Sequence, residues 1–434
     1  MFKKLISLFL AVVFVFTAAI SLASCGEGSG NDDENPVSVD KSLIKGDPSA
    51  IKVGVVLVGD ENEGYTYSHI KGIENAAAAL GIAKSQILWK YSISEDSACG
   101  DAITDLVQQG CDIIFTNSYG HQTYAEQAAR ENPDVIFVAM TGDTAKKAGL
   151  PNFCNAFTKI YEARYVSGVV AGLKLKELIE KGELTKEKRP ENFDKNGNIK
   201  IGYVGAFNYA EVVSGYTAFY LGVKSVVNNV VMQVQYTNSW FHPTAEATTA
   251  EALIADGCVI ISQHADSTGA PSACQSAYED GKLVFSVGYN ISMLKVAPDV
   301  ALTSATNNWD RYYAYALLQM INGEPVATNW AEGFESDAVA ITKLGKNVAE
   351  GTAEYVEGVI EKIKKGELQV FDTSTFTVNG QTVTEAFATD TDGDFVNDAD
   401  NAVFDGYYHE SYFQSAPSFS LRIDGIYEAR EFED

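Results

Sequence analysis

The sequence predicts a two-lobed α/β protein, each lobe a parallel sheet flanked by helices, followed by a β-rich C-terminal extension. Three observations carry this expectation. Short apolar, β-branched runs alternate with helical patterns over most of the chain. One βαβαβ unit occurs twice. Beyond residue 370 the pattern changes to strand-like runs separated by turn residues.

The N-terminal end carries the most specific local signal. Lys3 and Lys4 precede an apolar run from Leu5 to Ile20, broken only by Ser7 and Thr17. Leu22-Ala23-Ser24-Cys25 and Gly26 follow. Small residues before a cleavage point mark residues 1–25 as a signal peptide and not a spanning helix. A cysteine at the cleavage point resembles the bacterial lipoprotein signal, in which Cys25 becomes the lipid-bearing N-terminus. The alternative is an ordinary secretory signal with an incidental cysteine. The lipoprotein reading places the chain on the extracytoplasmic face of the cell membrane, held by lipid. No other segment is long and apolar enough to span a bilayer. Residues 26–50, rich in Gly, Ser, Asp, Glu and Asn, read as a flexible tether.

Regular structure begins at Ile51–Val58, a buried strand that runs into Gly59-Asp60. A helix is expected from Tyr67 to Leu80, stopped by Gly81. The duplication then shows in Asp105–Ser118 and Glu251–His264. Both read helix end, Gly-Cys turn, buried strand, polar loop. Each is followed by a small-residue helix and a further buried strand, Val135–Ala139 in one copy and Leu283–Val287 in the other. The openings match too, Ile51-Lys52-Val53-Gly54 beside Ile199-Lys200-Ile201-Gly202. Lys159–Leu178 reads as an amphipathic helix between the copies, and Trp309–Asn322 as a helix stopped by Gly323. The expected division is lobe 1 at 51–152 with a return segment at about 290–325, and lobe 2 at 153–289. A closing segment follows at 326–370, then the extension at 371–434, with a tight hairpin turn at Val378-Asn379-Gly380.

Composition excludes several functions. The chain of 434 residues has a formal net charge of −26, which repels phosphate backbones, so no nucleic-acid partner is expected. The cysteines after Cys25 are Cys99, Cys111, Cys154, Cys258 and Cys274. Their odd number and scattered spacing argue for buried free thiols instead of a disulfide framework. Motifs of hydrolases, phosphate-binding loops, dinucleotide folds and zinc proteases are absent, and the histidines show no metal-ligand spacing. No cofactor and no catalytic residue is expected. One acidic loop, with Asp390, Asp392, Asp394 and Asp398, is oxygen-rich enough to suggest calcium. It lacks the Gly and acid positions of an EF-hand loop, and a solvated hairpin loop explains it as well.

In open α/β sheets, ligands sit beyond the carboxyl ends of the strands. Those positions here hold aromatic, amide and carboxylate side chains. Lobe 1 offers Tyr65, Tyr67, His69, Asn117 and Tyr119; lobe 2 offers Phe207, Glu211, Trp240, Asp266, Tyr289 and Asn290. Flat faces with polar edges suit a planar, polar ring.

These residues carry a resemblance to the BMP (basic membrane protein) family of ABC-transporter substrate-binding lipoproteins, which includes binders of purine bases and nucleosides. It covers about residues 51–365 and rests on Glu63–His69, Ile114–Ser118, Tyr161–Gly168, Glu211–Gly215, Asn238–Phe241 and Gln263–Ser267. The resemblance implies a type I periplasmic-binding fold, a hinged cleft, no catalysis, a small-molecule solute (a purine base or nucleoside favoured) and an ABC permease as partner. It implies that Tyr65 stacks on the ligand ring, where many relatives carry Trp. Relatives often show Asp near Asn290 or Ser292; Asn can both donate and accept. A ligand-sensing surface lipoprotein, a binder of a sugar or other solute, and a nucleoside-acting surface enzyme are the alternatives.

Overall fold

The computed structural model describes residues 36–388 and 401–428. Cys25 with its signal peptide, and Asp390, Asp392, Asp394 and Asp398, lie outside the described residues. The first described stretch corrects the expectation of a free tether up to residue 50. Val37 is buried and its amide donates to the Asp310 carboxylate at 2.8 Å. The Lys45 amide donates to the Asn322 side chain, which itself donates to the Leu43 carbonyl. A polar composition hides the apolar residues that find a seat, Val37, Val39 and Ile44, and backbone amides beside them find partners on the helix below.

β1 (Val53–Val56) is buried at every position, as a run covered on both sheet faces must be. It feeds α1 (Gly64–Leu80), which ends on Gly81 in the left-handed conformation, φ +81°. β2 (Ile87–Lys90), α2 (Ser97–Gln108), β3 (Ile113–Thr116), α3 (Gln122–Glu131), β4 (Ile136–Met140), the short α4 (Ala145–Ala148) and β5 (Phe153–Thr158) complete the first run. α5 (Ile160–Glu180) leads to β6 (Ile199–Gly205), α6 (Ala210–Lys224), β7 (Val230–Tyr236), α7 (Pro243–Ala255) and β8 (Ile260–Gln263). α8 (Gly269–Glu279), β9 (Phe285–Tyr289) and β10 (Ala301–Asn307) end the second run. α9 (Trp309–Asn322), β11 (Asn329–Glu332), β12 (Val339–Ile341) and α10 (Thr352–Lys364) follow.

The strands form two main sheets, in the orders β11-β5-β4-β3-β1-β2 and β12-β10-β9-β8-β6-β7-β15, where β15 is Ile426–Tyr427 of the extension. All pairings within them are parallel except β12 on β10. Reading β6–β10 against β1–β5 gives the same order in both sheets. The repeat seen in the sequence is therefore a repeat in space, with Gly110 and Gly257 turning at equivalent places with φ of +79° and +93°.

The expected lobe boundaries shift by one strand in each copy. β5, expected to open lobe 2 at residue 153, pairs with β4 in the first sheet. β10, expected within the segment returning to lobe 1, pairs with β9 in the second sheet, and only α9 returns to pack on α1. The repeated sequence signature spans four strands, whereas each sheet needs the fifth to cover its fourth. β11 then joins the first sheet beside β5, and β12 the second beside β10. The chain therefore crosses between lobes three times, at 158–160, 307–309 and 332–339.

α5 differs from the amphipathic helix expected. It is buried on most of its surface, including Arg164, Val166, Val170 and Leu175, because it packs on α6 and β10. The α5–α6 approach needs glycine. A Cβ on Gly168 would lie 2.1 Å from the Phe219 carbonyl oxygen, and one on Gly222 2.0 Å from that of Tyr165. On the other lobe, fully buried Trp309 stacks on His69 with ring centres 4.4 Å apart and meets Phe157 edge-on. Large side chains buried this fully, Trp309, Tyr312 and Phe115 among them, stabilise the fold by roughly 1.5–3 kcal/mol each.

The regular structure of the extension is β among the described residues: β13 (Val403–Phe404), β14 (Tyr407–Tyr408) and β15 (Ile426–Tyr427). Asn379 and Gly380 take φ of +52° and +74°, the geometry of the tight hairpin turn expected there. β15 adds a parallel strand to the β7 edge, which covers a row of otherwise unpaired backbone groups.

Candidate functional site

The strand ends of both sheets converge on one narrow cavity with about 30 Å3 of free space. Lobe 1 lines it with Val58, Glu63 and Tyr65 after β1, Asn117, Ser118 and Tyr119 after β3, and Thr141 after β4. Lobe 2 contributes Glu211 after β6, Trp240 after β7, His264 and Asp266 after β8, and Tyr289 at the end of β9. A second, outer chamber shares Val58, Glu63 and Trp240 and adds Asp60, Ser92, Phe207, Asn238 and Phe241.

Seven of the eleven residues expected from the sequence therefore meet in the cavity: Tyr65, Asn117, Tyr119, Glu211, Trp240, Asp266 and Tyr289. Phe207 lines the outer chamber and packs edge-on to Trp240 at 5.1 Å. Asn290 sits one layer behind, donating through Nδ2 to Asp266 Oδ1 at 2.6 Å. His69 and Tyr67 line neither space. His69 stands one helical turn beyond Tyr65, buried beneath it, with Nδ1 bonded to the Tyr313 hydroxyl at 2.7 Å. Tyr67 is half-buried and takes the Lys71 ammonium over its ring at 5.7 Å. Glu63, Ser118, Thr141, His264 and Arg164 complete the surroundings and were not among the residues expected.

Each side chain has a physical reason for its place. Tyr65 stands in the first turn of α1 and its hydroxyl donates to the Asn117 carbonyl at 2.7 Å. Asn117 Oδ1 in turn accepts from the Val58 amide at 2.8 Å, which fixes the loop after β1 to the loop after β3. Glu63 is buried and accepts from the Thr66 hydroxyl. Gly64 lets the lobes meet, since a Cβ there would approach the Asp266 carbonyl oxygen of lobe 2 to 3.2 Å. The rings of Tyr119 and Tyr209 also face each other across the lobes, 6.0 Å apart.

The cavity is acidic, and burial governs its titration. Burial pushes the Glu211 carboxyl up to about 7, against the smaller opposing pull of Arg164. Asp266 is held well above the usual carboxylate range by burial and then by the neighbouring Glu63, Glu246 and Glu211. Glu63 is raised for the same first reason. Burial and then Arg164 hold His264 well below its ordinary value, so the ring is neutral. Its Nε2 lies 3.3 Å from Glu211 Oε1 and its Nδ1 3.3 Å from the Tyr203 hydroxyl. The hydroxyl can donate to Nδ1, which leaves the Nε2 proton for Glu211. Arg164 projects from α5 beneath the lobe 2 floor, with its guanidinium carbon 3.6 Å from the Tyr289 ring centre. Its Nη1 donates to the Gln263 carbonyl at 2.6 Å, while Nε and Nη2 are buried without a hydrogen-bond partner among the described residues. The arrangement offers aromatic faces, carboxyl groups able to accept or donate, and a cation held out of direct reach.

The chain from residue 50 to residue 374 matches the family described as Bmp, ABC transporter substrate-binding protein PnrA-like. It is 31% identical over 322 residues to a purine-binding protein of Brucella abortus, covering 74% of this chain and 83% of that one. It is 27% identical to a putative ABC transporter glucose-binding protein of Haloferax volcanii, over 72% of each chain. Among solved structures, an ABC transporter solute-binding protein from Aeropyrum pernix superposes with a TM-score of 0.61 at 16% identity, covering 74% of this chain and 93% of that one. One from Conexibacter woesei gives 0.57 at 18% identity, covering 74% and 98%. These likenesses fit the two duplicated sheets and the cleft between them, a type I periplasmic-binding fold. No helix among the described residues is long and apolar enough to cross a membrane. The chain belongs to the Bmp family of PnrA-like ABC transporter substrate-binding proteins.

Proposed function

We propose that the protein captures a purine base or nucleoside between its lobes and delivers it to an ABC permease, without turnover. One observation carries this: aromatic faces and carboxyl groups from both lobes converge on one cavity beyond the carboxyl ends of the strands. The name of the Brucella relative agrees with it. Tyr65 and Tyr289 offer faces to the ring, and Trp240 closes it from the outer chamber. Asn117, Glu211 and Asp266 read its polar edge, the carboxyl groups pairing with ring N–H, exocyclic amine or ribose hydroxyl groups. Closure about the crossovers buries the solute. Lipid on Cys25 holds the protein at the extracytoplasmic face of the membrane, near its permease.

A sugar is the second reading. It is supported by the name of the Haloferax relative and by carboxyl groups that suit sugar hydroxyls as well. Thermal shift of residues 26–434 with purine bases, nucleosides and hexoses separates the two. A solute at a hundredfold excess over its Kd stabilises by about 2.7 kcal/mol. A shift with hexoses alone replaces the purine reading. Labelled palmitate incorporated by the wild-type chain and lost in Cys25→Ser tests the anchor.

A further inference from the structure

Thr158 and Asn307 are the last residues of β5 and β10, equivalent strands of the two duplicated units, and each stands where the chain leaves its sheet to cross between lobes. Their side chains meet: the Thr158 hydroxyl donates to Asn307 Oδ1. Asn307 Nδ2 donates to Asn290 Oδ1 at 3.1 Å, and Asn290 Nδ2 donates to Asp266 Oδ1 at 2.6 Å. All four residues are buried, and only Asp266 reaches the cavity.

The direction of these bonds explains two sequence features. Asn290 must accept from Asn307 and donate to Asp266 at once, which an aspartate there could not do. It also holds a left-handed backbone, φ +62°, in a position fixed by its amide on the Ala305 carbonyl and by its own carbonyl, which accepts from the Thr306 hydroxyl. Asn307 has its oxygen and its amide nitrogen both engaged, one toward the lobe 1 crossover and one toward the cavity. A buried polar chain satisfied at each link is stiff, so moving one end displaces the other. Relative motion of the lobes must pass through the crossovers that Thr158 and Asn307 terminate.

We propose that Asn307 is a positioning residue: with Thr158 and Asn290 it forms a hydrogen-bonded relay tying the cavity carboxyl Asp266 to two of the three inter-lobe crossovers, so that it sets solute affinity without touching the solute. This rests on the reading above in taking the cavity as the solute site.

The test is a double-mutant cycle with Thr158→Val, which keeps the shape but removes the donor, and Asn290→Gly, which suits the left-handed backbone. Guanosine and adenosine are titrated calorimetrically into the full mature chain. Each single variant weakens binding about tenfold, and the double variant is no weaker than the single ones, because one chain is broken once or twice to the same effect. Thr158→Ser, which restores the hydroxyl, binds as wild type. Losses that multiply to about a hundredfold, or wild-type binding by Thr158→Val, overturn the relay. A second readout needs no solute. In the ligand-free chain, Asn290→Gly raises hydrogen exchange at the amide of Lys159, across the relay, and leaves α2 and α3 unchanged. Unchanged exchange at Lys159 overturns the proposal. If the wild type binds neither nucleoside, the purine reading fails, while the exchange measurement still decides the relay.

Discussion

The guanidinium of Arg164 lies over the Tyr289 ring, its central carbon 3.6 Å from the ring centre, so that the aromatic floor of lobe 2 rests on a buried cation. Arg164 comes from α5, the helix that follows the crossover at 158–160, while Tyr289 ends β9 inside lobe 2. The contact thus fixes a cavity wall to the helix that packs on α6 and β10. It also places a positive charge among Glu211, Asp266 and His264, each of which feels it.

Arg164→Ala removes this cation–π contact and the charged hydrogen bond to Gln263. The loss in stability is about 3 kcal/mol, measured by urea denaturation. Solute binding weakens as well, because the Tyr289 ring loses its support.

Trp240→Ala opens the cavity to the outer chamber and removes an aromatic face. Affinity for a purine solute falls by about tenfold to a hundredfold, the scale of base–aromatic stacking, with little change in the stability of the ligand-free chain. Tyr65→Phe keeps its ring but loses the hydrogen bond to Asn117, so stability drops by about 1 kcal/mol. Titration calorimetry and denaturation, run on both variants, separate the two effects.

Glu211 makes stability depend on pH in a definite direction. The folded chain keeps its carboxyl proton to about pH 7, whereas an unfolded chain releases it near the ordinary value of 4.5. Between these values the folded state binds more protons, so this group's contribution falls as pH rises, by up to about 3 kcal/mol. Denaturation of the ligand-free chain at pH 5 and pH 8 shows that decline in the wild type. Glu211→Gln, which does not titrate, makes the decline smaller by up to about 3 kcal/mol and leaves the share of the other raised carboxyls, Asp266 and Glu63 among them. An equal decline in both chains contradicts the assignment.

Glu410 fastens the extension to lobe 2. Its buried carboxylate accepts from the Ser214 hydroxyl at 2.5 Å and from the Ser418 and Phe419 amides at 3.0 and 2.8 Å. Glu410→Ala strands these donors in the interior and costs about 3 kcal/mol; Glu410→Gln, which keeps one acceptor, costs less. Limited proteolysis reads the same change as faster cleavage within residues 401–428.

The fold was legible because its signals are local and repeated. The apolar run of β1, the paired Gly-Cys turns and the glycine stops of α1 and α9 each follow from the residues in place. The fifth strands were misassigned because Phe153–Thr158 and Ala301–Asn307 carry no repeated mark, and only pairing in space decides which sheet takes them. The cavity residues at strand ends were legible for the same topological reason. His69 was not, because a polar residue one turn along a helix points wherever packing sends it, here under Tyr65 and against Trp309. Arg164 stands in the second turn of α5, after a strand that was not expected to end at the cleft. Its one signal is a charge inside a stretch, Tyr161–Leu175, that is otherwise mostly apolar or small.

The most direct test of the central claim is calorimetric titration of the mature chain with adenine, adenosine, guanosine and glucose, repeated in Trp240→Ala. Saturable one-to-one binding of at least one purine, weakened tenfold or more in the variant and with no binding of glucose, is the expected result. Binding of glucose without any purine, or purine binding unchanged by Trp240→Ala, would contradict it.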